Sequence, residues 1–232
     1  MRRIAILGGT FNPIHIGHIR PAVEVYEALR PDYVDLLPCA SPPHKSNTGL
    51  LPFALRAAMV EAAARPFSFL RVNHMENSRS GPSYTHDTLR EYQRQYPQCS
   101  LSFVLGAGDF AMLPTWHNGV ALTDMADMVV LPRSGEDERA FHATTQALWS
   151  GAVPETVPAP FAAAYRLPSG HAVWFLPQPR LDISATLIRE RWLAGRDITY
   201  LVPQEVCQLL EAHADAVREC WTAIPPGTKT TD

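Results

Sequence analysis

The run Ile4-Ala5-Ile6-Leu7, followed without a break by Gly8-Gly9, constrains the fold of this chain more than any other feature. Apolar residues that do not alternate with polar ones form a strand buried on both faces, as in the middle of a parallel sheet covered by helices. The paired glycines end it in a tight turn, and from about Gly17 the chain becomes helical. Strand, glycine-lined turn and helix N-terminus bring bare backbone N–H groups and about half a positive charge to one point, which suits an anion. The turn reads Gly8-Gly9-Thr10-Phe11-Asn12-Pro13-Ile14-His15-Ile16-Gly17-His18. His15 and His18 are three residues apart, so a helix beginning near His15 turns both imidazoles toward whatever the turn holds. Taken singly, a double glycine or a lone histidine is also an ordinary scaffold feature.

The remaining pattern continues in the same style. Ile19, Val23, Tyr26 and Leu29 give one helical face that ends at Pro31, with Pro21 placed in the first turn, where proline is tolerated. Residues 33–38 read as the second strand, completing a βαβ unit with a right-handed crossover. Residues 53–64 form an alanine-rich helix, read as plain scaffold, and 67–72 a third strand. A helix with Leu89, Tyr92 and Tyr96 on its apolar face follows, capped by Ser83 or Thr85 and with Asp87 complementing its dipole. Residues 101–105, 128–131 and 173–176 are the fourth, fifth and sixth strands. Ser184 caps a helix carrying Leu187, Ile188 and Trp192, and Val202-Pro203 opens a last helix through Leu210. Residues 136–170 read as a helix and then a proline-rich insertion or loop beside the sheet, with no motif. The fold class is α/β: a Rossmann-like, doubly wound parallel sheet in a single domain over residues 1–221 with a C-terminal helical part, then a disordered tail, 222–232.

A chain of 232 residues buries enough surface to need no staples. The formal net charge of −3 argues against a broad electrostatic grip on nucleic acid, so anion binding is expected to be local and the partner small. Cys39, Cys99, Cys207 and Cys220 are far apart and form no CxxC pair, which speaks for reduced thiols and against a zinc site or disulfide framework. No apolar run reaches the length of a signal peptide or membrane span, so a cytoplasmic protein is expected. No metal-ligand set is read from the sequence.

The string GGTFNPIHIGH resembles the signature of the nucleotidyltransferase superfamily in the longer form found in bacterial nicotinate mononucleotide adenylyltransferases. Five further segments resemble that family in order: PPHK at Pro42 to Lys45, SYTHDTL at Ser83 to Leu89, Gly106 to Asp109 with Pro114-Thr115-Trp116-His117, Pro132-Arg133-Ser134-Gly135, and ISATLIR at Ile183 to Arg189. The resemblance implies that His15 and His18 act at the transferring phosphate. It places Gly8, Gly9, Thr10, Phe11, Gly17, His44, Lys45, Gly106, Asp109, Arg133, Ile183, Ser184, Thr186 and Arg189 around ATP. It places Asn12, Tyr84, Thr85, Trp116 and His117 around the pyridine mononucleotide, with Trp116 stacked on the nicotinate. From composition alone Trp116 reads as core more than as a stacking platform, and Arg133 equally as a nucleotide contact or a surface residue. Two departures stand out: the usual aspartate of the Gly106 turn is Gly108, with the carboxylate one place later at Asp109, and the second serine of the last motif is Ala185.

The implied reaction joins ATP and nicotinate mononucleotide into deamido-NAD and pyrophosphate, with Mg²⁺ bridging phosphate oxygens. The mononucleotide phosphate is itself the nucleophile, so no activated side chain is required, and catalysis consists of positioning and charge neutralisation. ATP and nicotinate mononucleotide are the implied partners, in a monomer or small homo-oligomer, without nucleic acid or membrane. Another small-molecule nucleotidyltransferase, of the phosphopantetheine adenylyl- or cytidylyltransferase type, and a non-catalytic nucleotide sensor remain open alternatives. All of them require the helix starts at Gly17 and Ser184 to come together beside the two imidazoles.

Overall fold

The structure, a computed structural model, describes residues 2–43, 48–132 and 138–224. In chain order the elements are β1 (Arg2–Gly9), α1 (Ile16–Leu29), β2 (Tyr33–Pro38), α2 (Phe53–Ala64), β3 (Leu70–Val72), α3 (Thr85–Gln95), β4 (Cys99–Gly106), α4 (Ala107–Ala111), β5 (Asp127–Leu131), α5 (Glu138–Leu148), β6 (Val153–Glu155), β7 (Ala163–Arg166), β8 (Ala172–Phe175), α6 (Ala185–Leu193), α7 (Gln204–Ala212) and α8 (Ala214–Thr222). Among the described residues the strands form one eight-stranded sheet in the order β3-β2-β1-β4-β5-β8-β7-β6. The pairs β1 with β4, β4 with β5 and β5 with β8 are parallel, so the carboxyl ends of these strands share one edge. This is the edge where open α/β sheets place their ligands.

The apolar runs fill the middle of this sheet. Ile4, Ala5, Ile6 and Leu7 are buried on β1, as are Val34, Leu36 and Leu37 on β2 and Met128, Val129 and Val130 on β5. Asp35 is the exception, a fully buried carboxylate in mid-strand that accepts a 3.0 Å hydrogen bond from the Tyr92 hydroxyl of α3. A buried carboxylate is stable only with such a donor.

The chain divides into two compact units. The first holds Met1–Leu7, Pro21–Asp35 and Tyr84–Leu181, and the second Gly8–Arg20, Leu36–Ser83 and Asp182–Asp232.

Several local expectations need correction. The segment after α5 is not all loop: β6 and β7 join the sheet, β7 pairing antiparallel with both β6 and β8. Pro154 misled because proline argues against a strand, yet β6 is the outermost strand, where the lost N–H breaks no inner ladder. Pro21 lies at the sixth position of α1, past the first turn, so the Gly17 carbonyl loses its intrahelical donor there. Neither Ser83 nor Thr85 caps α3; Tyr84 is its N-cap residue with no side-chain bond, and the Ser83 hydroxyl accepts instead from the Ser41 N–H at 3.1 Å. The third strand is shorter than expected, and a further helix, α8, follows the one read as last. The expected tail from residue 225 onward lies outside the described residues.

Candidate functional site

The turn after β1 belongs to the second unit and is held by steric and hydrogen-bonding constraints that its sequence supplies. Gly9 is required because a Cβ there would lie 2.7 Å from the Phe11 ring. Phe11 is buried and has a φ of 49°, a left-handed conformation that costs a bulky residue about 1–3 kcal/mol and persists only when its surroundings enforce it. Asn12 helps enforce it: its Nδ2 donates to the Gly49 carbonyl at 2.7 Å and its Oδ1 accepts from the Leu51 N–H at 3.1 Å. Both ends of that carboxamide are therefore engaged in the protein, a structural job for a residue expected at the substrate.

His15 is fully buried and precedes α1, with its carbonyl accepting from the His18 and Ile19 N–H groups. His18, half-buried on the first turn, accepts from the His15 N–H through Nδ1 at 3.3 Å. This is the reciprocal bond of a capping box with imidazole in place of a carboxylate. It also selects the tautomer: with Nδ1 accepting, Nε2 carries the proton and is the donor. The His15 and His18 rings lie 3.7 Å apart between centroids at 33°, and the Phe11 ring meets His18 edge-on at 5.0 Å.

The start of α6 lies against the same turn. A Cβ on Gly17 would come within 2.9 Å of the His15 ring and 3.2 Å of the Ile183 carbonyl, so glycine is what lets the two helix openings approach. Ser184 is the N-cap of α6, its hydroxyl accepting from the Leu187 N–H at 3.2 Å. Arg189, one turn later and buried, donates through Nη1 to the Asn12 carbonyl at 2.9 Å and through Nη2 to the Thr186 hydroxyl at 2.8 Å. Ala185 is buried, at the position where the resemblance supplies a second serine. Gly8, Gly9 and Thr10 are open to solvent at least in part. Residues far apart in sequence thus converge: two helix starts, two imidazoles and a guanidinium whose Nη1 and Nη2 are bonded to Asn12 and Thr186.

The first unit holds a second group. The start of α3 carries no side-chain cap, so its opening N–H groups are not spent on one. The Tyr84 and His117 rings lie 4.4 Å apart at 32°. Trp116 is half-buried, not a core residue, and the turn after it is so tight that a Cβ on Gly119 would fall 2.8 Å from the Trp116 Cβ. Gly106 precedes α4, and Asp109 is exposed on the first turn of that helix. Among the described residues one set of ligating side chains converges, His86, Asp87 and His117, with ligand atoms within 4.8 Å of one another. His44, Lys45 and Arg133 lie outside the described residues.

A family model described as cytidylyltransferase-like matches residues 6–191. The chain belongs to this cytidylyltransferase-like family. Among curated relatives it is 39% identical over 213 residues to a probable nicotinate-nucleotide adenylyltransferase of Geobacter metallireducens, covering 90% of this chain and 95% of that protein. It is 40% identical to one of Desulfatibacillum aliphaticivorans, covering 88% and 94% respectively. Among solved structures it resembles the nicotinic acid mononucleotide adenylyltransferase of Plasmodium falciparum complexed with NaAD, with a TM-score of 0.71, 16% identity, and 93% and 98% of the two chains covered. At that identity the likeness speaks for the fold alone. No helix among the described residues is long and apolar enough to cross a membrane, and all four cysteines are free thiols.

One residue of this cytidylyltransferase-like chain went unread in the sequence. Arg56 is 1% exposed in the alanine-rich helix α2. Its Nε donates to the Leu51 carbonyl at 2.9 Å, and Nη1 to the Thr10 and Cys39 carbonyls at 2.7 and 2.8 Å. Burial pushes its pKa down, with Cys39 and the buried Glu76 pulling the other way. The signal was present: a single arginine on an otherwise apolar helix face is either exposed or committed to a buried site. Burial, aided by Glu76, pushes the neighbouring Cys39 thiol up to about 12, so it is no nucleophile.

Proposed function

We propose that this chain joins ATP and nicotinate mononucleotide into deamido-NAD and pyrophosphate, a step of NAD biosynthesis. What carries the proposal is the convergence of the α1 and α6 openings: Gly17 set against Ile183, with Arg189 donating to the Asn12 carbonyl beside the His15 and His18 rings. A polyphosphate is the ligand that such a collection of donors stabilises. A mononucleotide phosphate oxygen attacks the ATP α-phosphorus in line, the bond to the β-phosphate breaks, and pyrophosphate departs. His18 would donate through Nε2 to the charge that develops on the α-phosphate, with His15 beside it. The α6 start, with Ser184 and Thr186, would take the departing pyrophosphate, and Arg189 would hold its helix on the turn. His44, Lys45 and Arg133 would supply further positive charge to the triphosphate, and Gly106 and Asp109 would serve the nucleotide. Tyr84, Thr85, Trp116 and His117 would receive the pyridine ring, its carboxylate at the uncapped N–H groups of α3.

Mg²⁺ fits this donor set in one way. The groups at the turn are nitrogen donors, whereas Mg²⁺ prefers oxygen, so the ion would be held by the phosphates themselves and supply charge neutralisation. Residues 1–221 would act as one nucleotidyltransferase domain in the cytoplasm.

The test is pyrophosphate release with ATP and Mg²⁺ and, in parallel, nicotinate mononucleotide, its amide analogue or 4′-phosphopantetheine, plus CTP with a phosphorylated alcohol. Release with nicotinate mononucleotide, together with a dinucleotide product, is expected. Release only with another acceptor or with CTP would make this a different nucleotidyltransferase, and binding without turnover would make it a sensor.

A further inference from the structure

We propose that Arg56 is a positioning residue for the phosphate-holding turn: by fixing the Thr10 carbonyl it aims the Phe11 N–H and stabilises the left-handed backbone at Phe11. This inference rests on the function proposed above.

The starting point is an electrostatic problem. A guanidinium that is 1% exposed, on a helix whose other buried residues are alanine, methionine and valine, is strongly unfavourable unless its donors are satisfied. The usual remedy is a carboxylate. Here the buried Glu76 helps through its charge, and the hydrogen bonds go to three main-chain carbonyls: Leu51, which leads into α2; Cys39, directly after β2; and Thr10, in the turn after β1. Arginine suits the task because its planar fork reaches several acceptors in fixed directions, which a lysine ammonium does not. The Phe53 ring, 5.5 Å from the guanidinium carbon, limits its movement further.

The consequence for the turn follows from peptide geometry. A trans peptide is planar, with its C=O and N–H pointing opposite ways. Holding the Thr10 oxygen toward Arg56 at 2.7 Å therefore directs the Phe11 N–H away from Arg56. Cys39 behaves in the same manner: its carbonyl is on Arg56, and the next N–H, of Ala40, points to the Glu76 carboxylate at 3.3 Å. Phe11 has a φ of 49°, so the peptide before it is the one whose orientation must be secured. Asn12 secures the chain on the other side, through Gly49 and Leu51. Arg56 and Asn12 thus clamp the strained residue from both sides, and both reach Leu51, one at its carbonyl and the other at its N–H.

The test compares Arg56→Lys, Arg56→Ala and a control, Val60→Ala, a fully buried position one turn further along α2. Steady-state kinetics for ATP and nicotinate mononucleotide are measured with thermal unfolding on the same samples. Arg56→Lys keeps the charge but not the fork; it is expected to fold, with kcat about 10- to 100-fold lower, the size of effect that follows a displacement near 1 Å. Its KM for the mononucleotide should stay within about threefold of the parent if only the phosphate turn is disturbed. Val60→Ala should lower the unfolding temperature and leave kcat unchanged. Methylguanidinium should restore part of the kcat lost in Arg56→Ala, with sodium chloride at equal ionic strength as the control. Turnover by the parent with kcat of Arg56→Lys unchanged, failure of Arg56→Lys to fold, or equal kcat losses in Arg56→Lys and Val60→Ala would each overturn the inference alone. No turnover by the parent would overturn the proposed function, and this inference with it.

Discussion

His18 shows how much one side chain is asked to do. It closes the reciprocal cap with the His15 N–H and, through the tautomer this imposes, presents Nε2 as a donor. His18→Ala should therefore lower kcat by about two orders of magnitude or more, as loss of a preorganised donor does. The accompanying loss of stability should be about 1 kcal/mol, the size of a helix cap; steady-state kinetics and urea unfolding separate the two. Trp116→Ala should raise the KM for the mononucleotide about tenfold, in line with about 1–3 kcal/mol for stacking on an aromatic face, and leave the KM for ATP nearly unchanged. Equal rises in both would make the ring structural. Cys39 carries a pH dependence. Its thiol is pushed from an ordinary value of 9.0 to about 12 in the folded chain, so between those values the unfolded state has released a proton that the folded state keeps. The contribution of Cys39 to stability should be constant below pH 9 and then fall by about 1.4 kcal/mol per pH unit as pH rises toward 12. Cys39→Ala should flatten that fall in urea titrations, although Cys207 and Cys220, also raised by burial, contribute in the same direction.

At the scale of elements the competition between propensity and packing can be measured. Gly17→Ala gains up to about 1 kcal/mol of helix propensity on α1, but the new Cβ meets the His15 ring and the Ile183 carbonyl. The Ile183 contact is main chain and cannot turn aside, so the two helix openings must separate, and overpacking of that kind costs about 1–3 kcal/mol. Net stability should change little or fall slightly while kcat falls about tenfold or more, a split that unfolding and kinetics on one sample would show. Helix and strand periods made most of these elements legible: β2, α2 and α6 form where apolar spacing, caps and breakers put them. The misses have physical causes. Local rules give the cap of α3 to Ser83 or Thr85, yet Ser83 hydrogen-bonds to Ser41, a partner 42 residues away that no local rule can name. The β6–β7 hairpin was hidden by Pro154, whose cost depends on whether a strand is inner or outer, and that is known only once the sheet order is known.

For the whole molecule, central burial dominates. Ile6→Ala, on a strand with partners on both sides and no exposure, should cost about 2–5 kcal/mol in urea unfolding, with both KM values unchanged where the protein remains folded. The strand, glycine turn and helix at the N-terminus, the capped helix at Ser184 and the α/β class are legible in the residues alone, because each is written within a few neighbouring positions. The packing of the folded chain settles what those residues touch. It set Arg189 on the carbonyl of Asn12, 177 positions away, turned the Asn12 carboxamide into a clamp, and gave the apparently plain helix α2 a buried guanidinium that holds Thr10. The reason is range: propensity, capping and periodicity act along a few residues, whereas the partner of a buried polar group is chosen by how distant segments pack.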